Sequence, residues 1–550
     1  MNKIVIVYFM LVIYLYANQW NNLLHYSNNK NQIISNEFFL TDSINPTPKE
    51  ELNATIEALK GTDGNIIACN FPARYIYLQQ HNYQIPKYNL SQCKDLNIFL
   101  DSFNKDKVSL VFSSEYTNNP SSAFGHTMLL FTSNNKSIHI GDAVHFAAKT
   151  NRNDGFFKYS YNGFNGKYKG YFIREPFFKK IYEYNTLEQR YMYIYHLDFS
   201  KEQIKFLLYH LFELRKATFK YYFMHGNCAT QTTDLLNVIS GYNRKNNLYY
   251  LPIDTITQYK SHIVSKQKFI PLINKLNLLI SQMTSKEKEI FYDVIKTNKN
   301  IDANYPDIVK EALLYYSTFK FRRFHLWYKN YDNIMQQKFI QQKVNDNSKD
   351  PLQKTQPSTI AMGIYHTNNE NYLDFGYRPL FIDLFDIQFN TTQQSTVDTL
   401  TFDMIVNHDN VYLQRFDLVN IKSYATQNKF YKPLSWSLYS GINRDNTENN
   451  LKFNNEFGIG KTNNYFQIIK LNMMLNIGLD NSDIYIKPSI FSQIKLNNKS
   501  KIGINTYCKI YHKTTSYYNS LFFITIKNHN MIYQLKYNDN NLLFNVKYNF

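Results

Sequence analysis

The sequence predicts an α+β domain with helical flanks, followed by an antiparallel β-barrel. Short apolar strands and helical segments share residues 105–285, and helical regions flank them at 45–100 and 286–345. Residues 356–550 instead alternate between apolar and polar side chains. A period of two residues indicates strands, and apolar residues three or four apart indicate helices. A chain of 550 residues is long enough for several domains.

The first residues have the pattern of an export signal. Met1-Asn2-Lys3 supplies one positive charge, and an apolar run follows from Ile4 to Ala17. Such a run is typical of a secretory signal and is shorter than the roughly 20 residues of a membrane span. We therefore assign residues 1–17 as a signal peptide, with an uncleaved anchor as the alternative. In both cases the rest of the chain is exported.

Export changes the interpretation of the four cysteines. Their spacing matches neither CxxC pairs nor zinc ligands, so we predict no metal and no cofactor. In an oxidising compartment Cys69 and Cys93 can form a local disulfide. Cys228 is far from both in sequence and has a His and an Asn nearby, which makes it the candidate free thiol.

The net charge of +18 comes from Lys and Arg residues that are scattered along the chain. They accompany no nucleic-acid motif, so we predict no nucleic-acid partner. An anionic membrane surface fits the charge at least as well. The aromatic fraction of 17% also suits sheet surfaces and membrane interfaces.

Local signals place the first elements. Pro46-Thr47-Pro48 opens a helix, and Lys60-Gly61 looks like a helix end. Ser200 is a predicted N-cap of a helix that runs to about Lys216, and Cys228 lies where another helix begins. The predicted strands are Val108–Phe112, His126–Thr132 and Ser137–Phe146.

Beyond a linker at residues 345–357 the pattern is that of antiparallel strands with two unlike faces. Phe544, Val546 and Tyr548 alternate with Asn545 and Lys547, and earlier segments repeat this pattern. A soluble sandwich with the apolar face inside is one possibility. We favour an outer-membrane barrel of roughly 10–12 strands with the apolar face outside. The terminal Phe550 resembles the C-terminal signal of such barrels.

Cys228 has the surroundings of a nucleophile. Only a thiolate attacks, and a paired His or a helix N-terminus lowers the pKa of a thiol. The backbone N–H of Cys228 can also help to hold the oxyanion of a tetrahedral intermediate. Asn227 is a candidate second oxyanion donor or support. A lone cysteine at a helix start is, however, often simply a buried residue.

The predicted base is His126, at a strand start after Gly125. A third polar group usually orients such a base, and the next strand offers His139, Asp142 and His145. We favour His145 and place Asp142 second. Alternation puts Asp142 and His139 on opposite faces, so at most one of these two faces the site. Each residue alone also fits an ordinary core position, and the combination is what favours a site.

The order of a strand with His, a strand with a polar residue and a helix with Cys resembles the circularly permuted papain-like (NlpC/P60-like) folds. More specifically, roughly residues 45–260 resemble the DUF4105-like family built around the N-terminal periplasmic domain of Lnb-type lipoprotein N-acyltransferases. The matching stretches are Cys69-Asn70-Phe71-Pro72-Ala73-Arg74-Tyr75, Asn118-Asn119-Pro120-Ser121-Ser122-Ala123-Phe124-Gly125-His126-Thr127, Phe146-Ala147-Ala148, Glu183-Tyr184-Asn185, and Tyr221-Tyr222-Phe223 through Asn227-Cys228. The β-rich tail resembles the C-terminal domain of some members.

The resemblance implies a papain-like thiol domain that acts as a cysteine acyltransferase. Cys228 would take an acyl chain from a phospholipid as a thioester and pass it to the amine of a lipoprotein. His126 would remove the thiol proton and later assist transfer. The implied partners are a phospholipid, a lipoprotein and a membrane, with the catalytic domain in the periplasm and the tail in the outer membrane.

The chain departs from the family at His225-Gly226, where members often have an acidic pair, and at His145, where they often have Asn. His225 is therefore an alternative base or orienter. Two other functions remain open. One is a hydrolase (an amidase or lipase) that uses the same site. The other is a non-enzymatic outer-membrane barrel or anchor.

Overall fold

A computed structural model of the chain has two compact units, Met1–Gln342 and Lys343–Phe550. The predicted signal peptide, the loop at 118–122 and Phe550 lie outside the residues that the structure describes. The described residues are 19–27, 30–116, 124–151, 153–244, 249–324, 340–344, 346, 348, 350–353, 358–367, 370–379, 385, 393–444, 450–465, 468–481, 483–513, 516–538 and 541–549.

The predicted N-terminal helical region contains four helices among its described residues: α1 (Pro48–Lys60), α2 (Gly64–Asn70), α3 (Pro72–Gln80) and α4 (Lys94–Ser102). Thr47 and Glu50 form a capping box at the start of α1, and Gly61 follows its last residue. Cys69 and Cys93 form a disulfide that joins α2 to the residue before α4. Before these helices, the short strands Tyr26–Ser27 and Lys30–Asn31 pair with each other.

The centre of the first unit is a seven-stranded antiparallel sheet in the order β6-β4-β3-β2-β1-β5-β7. Its strands are β1 (Lys107–Ser113), β2 (His126–Thr132), β3 (Asp142–Lys149), β4 (Tyr168–Pro176), β5 (Met192–Leu197), β6 (Phe219–Tyr221) and β7 (Ile263–Phe269). Every residue of β2 is buried, so this strand is covered on both faces.

The other helices of the first unit lie between and after these strands. Ser200 and Gln203 form a capping box at the start of α7, as predicted. Among the described residues, no helix is both long and apolar enough to cross a membrane. The helices are α5 (Phe156–Phe164), α6 (Phe177–Lys180) with a π-helical continuation (Ile181–Leu187), α7 (Lys201–Glu213), α8 (Cys228–Ser240), α9 (Pro252–Gln258), α10 (Leu272–Gln282), α11 (Ser285–Thr297) and α12 (Asp307–Phe324).

Strand alternation gives the sheet two faces with different coverings. On the helix face, Phe146 packs against Phe219, and Phe219 in turn packs against His25, which stacks on His210 of α7. On the histidine face, His126 and His145 lie beside an apolar cluster that includes Met128, Leu130, Ala143 and Tyr184.

The predicted strand Ser137–Phe146 is wrong at its start. Residues Ile138–Ile140 form a 3-10 turn, and β3 begins only at Asp142. The turn forms because the Ser137 hydroxyl accepts a hydrogen bond from the His139 N–H. His139 is therefore outside the sheet ladder, and its ring packs on Phe269 at 5.7 Å between centroids.

The second unit is a closed antiparallel barrel of twelve strands. The first and last strands close it, with Thr359 paired to Asn549 and Ile364 to Phe544. The strands are β8 (Thr359–Thr367), β9 (Glu370–Arg378), β10 (Gln393–Val406), β11 (Val411–Gln427), β12 (Ser435–Arg444), β13 (Leu451–Tyr465), β14 (Ile469–Asp480), β15 (Asp483–Lys495), β16 (Ser500–Tyr511), β17 (Tyr517–Asn528), β18 (Met531–Asn538) and β19 (Asn541–Asn549).

The barrel exposes its apolar side chains and encloses its polar ones. In β14, Leu475 and Ile477 are 50% and 60% exposed, whereas Asn472 and Asn476 are 0% and 5% exposed. A soluble sandwich requires the opposite arrangement, and lipid outside a barrel requires this one. The predicted outer-membrane barrel is confirmed, and the sandwich alternative is wrong.

Candidate functional site

Helix α8 begins at Cys228, as predicted, because Asn227 caps it. Asn227 Oδ1 accepts hydrogen bonds from the N–H groups of Ala229 and Thr230 at 2.9 and 3.1 Å. Its Nδ2 donates to the carbonyl oxygens of Phe223 and Tyr250 at 3.1 and 2.8 Å. Both amide hydrogens are thus occupied. Asn227 is a support for the helix start, and its predicted role as a side-chain oxyanion donor is wrong.

Cys228 meets the sheet where the ladder between β2 and β3 ends. Paired residues run from Phe131–Asp142 to Leu129–Val144 and no further among the described residues. Just past that end, the backbone N–H of Thr127 faces the Cys228 sulfur. The Thr127 hydroxyl also faces the sulfur, and both groups favour the thiolate. Cys228 therefore lies beside β2 just past the point where its pairing with β3 ends.

Burial raises the pKa of the Cys228 thiol. The Thr127 N–H, the positive charge of Arg190 and the Ala229 N–H oppose this rise in pKa because each favours a thiolate. The sequence alone suggests a lowered pKa from the helix start and a nearby His. Burial outweighs these effects because the side chain is only 3% exposed. The raised pKa favours the thiol form of this side chain over the thiolate.

His126 is a buried imidazole with one open nitrogen. Its ring centroid lies 5.7 Å from that of Tyr184 and 5.8 Å from that of His145. Burial lowers its pKa well below the ordinary value, and interactions with His145, Arg190 and Lys180 lower the pKa further. Its Nε2 has no hydrogen-bond partner in the described part of the chain. A neutral imidazole with a free nitrogen is able to accept a proton.

Cys228 and His126 share two neighbours, because Tyr184 and Arg190 interact with both side chains. Cys228 contacts Thr127, which points to the helix face, and the preceding His126 points to the histidine face. The His126 Nε2 makes no hydrogen bond to the thiol. Catalytic hydrogen bonds are often long before substrate binds.

His145 lies beside His126, as predicted, and a carboxylate holds it. Its Nε2 lies 3.2 Å from Glu175 Oε2, and the same oxygen lies 2.8 Å from Lys180 Nζ. Burial lowers the pKa of His145 to about 4. Its Nδ1 is buried without a partner among the described residues. The site therefore holds two adjacent neutral imidazoles, each with one unpartnered nitrogen.

Asp142 and His225 are not brought to His126. Asp142 lies on the helix face, where it accepts a hydrogen bond from the Asn104 N–H at 2.8 Å and pairs with Arg174 at 2.7 Å. It cannot orient His126 from there, so this second choice is wrong. His225 is exposed, and its ring stacks on Tyr222 at 4.5 Å between centroids.

Sequence reasoning missed Arg190. Its guanidinium carbon lies 4.6 Å from the centre of the Tyr184 ring, and the group donates to the carbonyl oxygens of Ser113 and Ser114. Its charge influences the pKa of both Cys228 and His126. No local pattern singles out this arginine, because its importance comes from contacts with β1, far away in sequence. Within the described residues, no cluster of three or more His, Cys, Asp or Glu side chains is arranged to hold a metal ion.

Fold and site together define an exported α+β thiol domain followed in the chain by an outer-membrane β-barrel. Residues 95–262 match the family described as the Lnb N-terminal periplasmic domain. This match confirms the Lnb-type periplasmic domain that the sequence predicts, and the protein is a cell-envelope protein. Two domains of unknown function, DUF7843 and DUF7840, match residues 15–81 and 348–488. No curated protein matches the chain significantly.

Solved structures similar to the chain include three outer-membrane proteins. The KdgM porin in complex with disordered oligogalacturonate is 8% identical with a TM-score of 0.24, covering 35% of this chain and 99% of its own. An outer membrane channel from Pseudomonas putida F1 is 9% identical with a TM-score of 0.25, covering 38% and 100%. Outer-membrane expressed OmpT of Vibrio cholerae is 9% identical with a TM-score of 0.19, covering 35% and 96%. At these TM-scores the matches add nothing to what the strand pairing itself shows.

Proposed function

We propose that this protein is a cysteine acyltransferase of the cell envelope that moves an acyl chain from a phospholipid to the amine of a lipoprotein. The observation that carries the proposal is the buried neutral imidazole of His126, with an unpartnered Nε2, beside the ladder end that holds the Cys228 thiol. The Lnb-type domain spans both residues. The papain-like order of strand His, strand His and helix Cys supports the same chemistry.

In the first half-reaction, Cys228 Sγ attacks the carbonyl carbon of a phospholipid ester while His126 Nε2 takes the thiol proton. Asn227 already accepts hydrogen bonds from the N–H groups of Ala229 and Thr230. The N–H of Cys228 is therefore the backbone donor at the helix start that serves the oxyanion. The carbon–oxygen ester bond then breaks, and the leaving alkoxide takes the proton from the imidazolium. The products are a lysophospholipid and a thioester on Cys228.

In the second half-reaction, a neutral lipoprotein amine attacks the thioester. The carbon–sulfur bond breaks, His126 receives the amine proton and returns it to the sulfur, and an amide forms. His145 acts as a positioning residue for His126, and Glu175 and Lys180 fix its ring. The chain itself thus supplies the nucleophile, the base and the oxyanion donor.

Intact-mass spectrometry of the purified full chain with phospholipid tests the first half-reaction. We expect an added acyl mass on the wild type, none on Cys228→Ala, and a strong loss on His126→Ala. The matched control is His225→Ala, because His225 is exposed and stacks only on Tyr222 among its described ring contacts. An adduct that persists in Cys228→Ala, or that is lost equally in both histidine variants, contradicts the assignment.

A hydrolase at the same site is the second candidate, because it needs the same nucleophile, base and oxyanion donor. The acceptor separates the two functions. A diacylglyceryl lipopeptide with a free α-amine should discharge the acyl-enzyme and gain the acyl mass, whereas its N-acetylated form should not. Release of free fatty acid alone, with the lipopeptide unchanged, favours the hydrolase.

A further inference from the structure

Three lysines form a row across one edge of the histidine face. Lys149 of β3 pairs directly with Lys169 of β4, and Lys169 pairs with Lys220 of β6. All three side chains are exposed. Alternation places Lys149 on the same face as His145, four positions earlier in β3. The row therefore lies on the face that carries the candidate base.

This row is unfavourable for the protein alone. Like charges directly opposite each other on neighbouring strands repel. None of the three lysines has a described carboxylate within ion-pair distance. The only acidic residue of β4, Glu175, is already shared between Lys180 and His145. An anion that bridges the row relieves this repulsion and is attracted to all three charges.

Between the row and the histidines the same face is apolar. The next pair along the strands is Ala147 with Tyr171, and the one after it is His145 with Ile173. Ile173 is 39% exposed, which is unusual for a large apolar side chain in the middle of a strand. The distance along β3 from His145 to Lys149 is about 13 Å at about 3.3 Å per residue. Lysine side chains that lean along the strand shorten this gap.

We propose that the lysine row binds the phosphate headgroup of an anionic glycerophospholipid and places the rest of the lipid over Tyr171 and Ile173, toward His126 and Cys228. The proposal rests on the proposed function, since it names the donor of that same site. Charge complementarity favours a headgroup with net negative charge over a zwitterionic one, because three ammonium groups repel a further cation. The apolar strip between the row and the histidines matches the glycerol backbone and acyl chains.

A binding experiment on the full chain in a non-ionic detergent tests the row. Cys228→Ser stops turnover, and fluorescence anisotropy follows labelled phosphatidylglycerol and labelled diacylglycerol. The test variant is Lys149→Gln/Lys169→Gln/Lys220→Gln. The charge-matched control is Lys87→Gln/Lys94→Gln/Lys136→Gln, three exposed lysines outside this face. Each basic residue near an anionic surface contributes roughly a fivefold factor, so we expect phosphatidylglycerol binding to weaken at least about tenfold in the test variant.

Diacylglycerol binding should change little in either triple variant, and added salt should weaken phosphatidylglycerol binding to the parent chain. Phosphatidylglycerol affinity within twofold of the parent, or equal weakening in the control, overturns the proposal. Acyl-enzyme formation in chains that retain Cys228 separates the two ideas. Lysine-dependent binding without any adduct leaves the docking row standing and defeats the acyltransferase. An acyl-enzyme that forms equally fast in the test variant supports the acyltransferase and defeats the docking row.

Discussion

Removal of the Asn227 side chain should destabilise the first unit strongly, because one amide both caps α8 and anchors two loops. Asn227→Ala loses the cap, which contributes about 1 kcal/mol. It also leaves the carbonyl oxygens of Phe223 and Tyr250 without their donor, at a cost of about 1 kcal/mol each. The expected loss is roughly 3 kcal/mol in the free energy of unfolding. For a unit of this size, Met1–Gln342, that corresponds to about 4 °C in Tm.

Asn227→Asp separates the two roles of this side chain. The carboxylate keeps an acceptor for the N–H groups of Ala229 and Thr230 but turns the donor into an oxygen that faces two carbonyl oxygens. We expect a loss of at least about 2 kcal/mol at neutral pH, with partial recovery in acid as protonation restores one donor.

Alkylation of Cys228 in urea measures both variants, since this thiol is 3% exposed in the folded chain. Cys508→Ser removes the background from the other free thiol. If Asn227→Asp proves as stable as the wild type, or if Asn227→Ala costs less than about 1 kcal/mol, the anchoring role of the amide is refuted.

Three further predictions use the same alkylation readout. Arg74→Met leaves the buried carboxylates of Glu51 and Glu213 without their cation. It should cost about 3–5 kcal/mol in the free energy of unfolding, and an unchanged urea midpoint contradicts this. The double change Cys69→Ser/Cys93→Ser opens the loop that the disulfide closes and should cost about 3 kcal/mol, whereas reductant should have no effect on that variant. The pKa of His145 is lowered to about 4 by burial, so unfolding takes up a proton below about pH 6.5 and stability falls as the pH falls. Between pH 7 and 5 this loss is about 2 kcal/mol. This contribution should be absent from His145→Gln. If that variant loses as much stability between pH 7 and 5 as the wild type, His145 is not its source.

The barrel was predictable because its signal is local. In each strand, apolar and polar residues alternate in the sequence and mark its two faces. In Ile469–Asp480, apolar residues point out and Asn472 and Asn476 point in. Helix starts were predictable for the same reason, since Ser200 and Gln203 are only three residues apart. The start of β3 was missed because Ser137 satisfies a backbone N–H locally and draws His139 into a turn.

The site was predictable only in part, because much of it depends on burial and on distant partners. Cys228 at a helix start and the neighbouring pair His126 and His145 follow from the sequence. The raised pKa of the Cys228 thiol does not, since burial outweighs the helix start. Glu175 contacts His145 and Arg190 contacts Ser113, each on another strand. No pattern in the neighbouring sequence predicts these contacts.

The disulfide near the N-terminus has a consequence for the redox state of Cys228. Cys69 and Cys93 are only 24 residues apart and reach the oxidising compartment first when the chain is exported from its N-terminal end. A short loop closes at low entropic cost, so this pair can oxidise before Cys228 arrives. Cys228 then enters a domain in which Cys69 and Cys93 already form a disulfide, and its burial shields it afterwards. We therefore expect Cys69→Ser alone to lower the proposed activity more than the double variant does, because it releases Cys93 to form a wrong disulfide with Cys228.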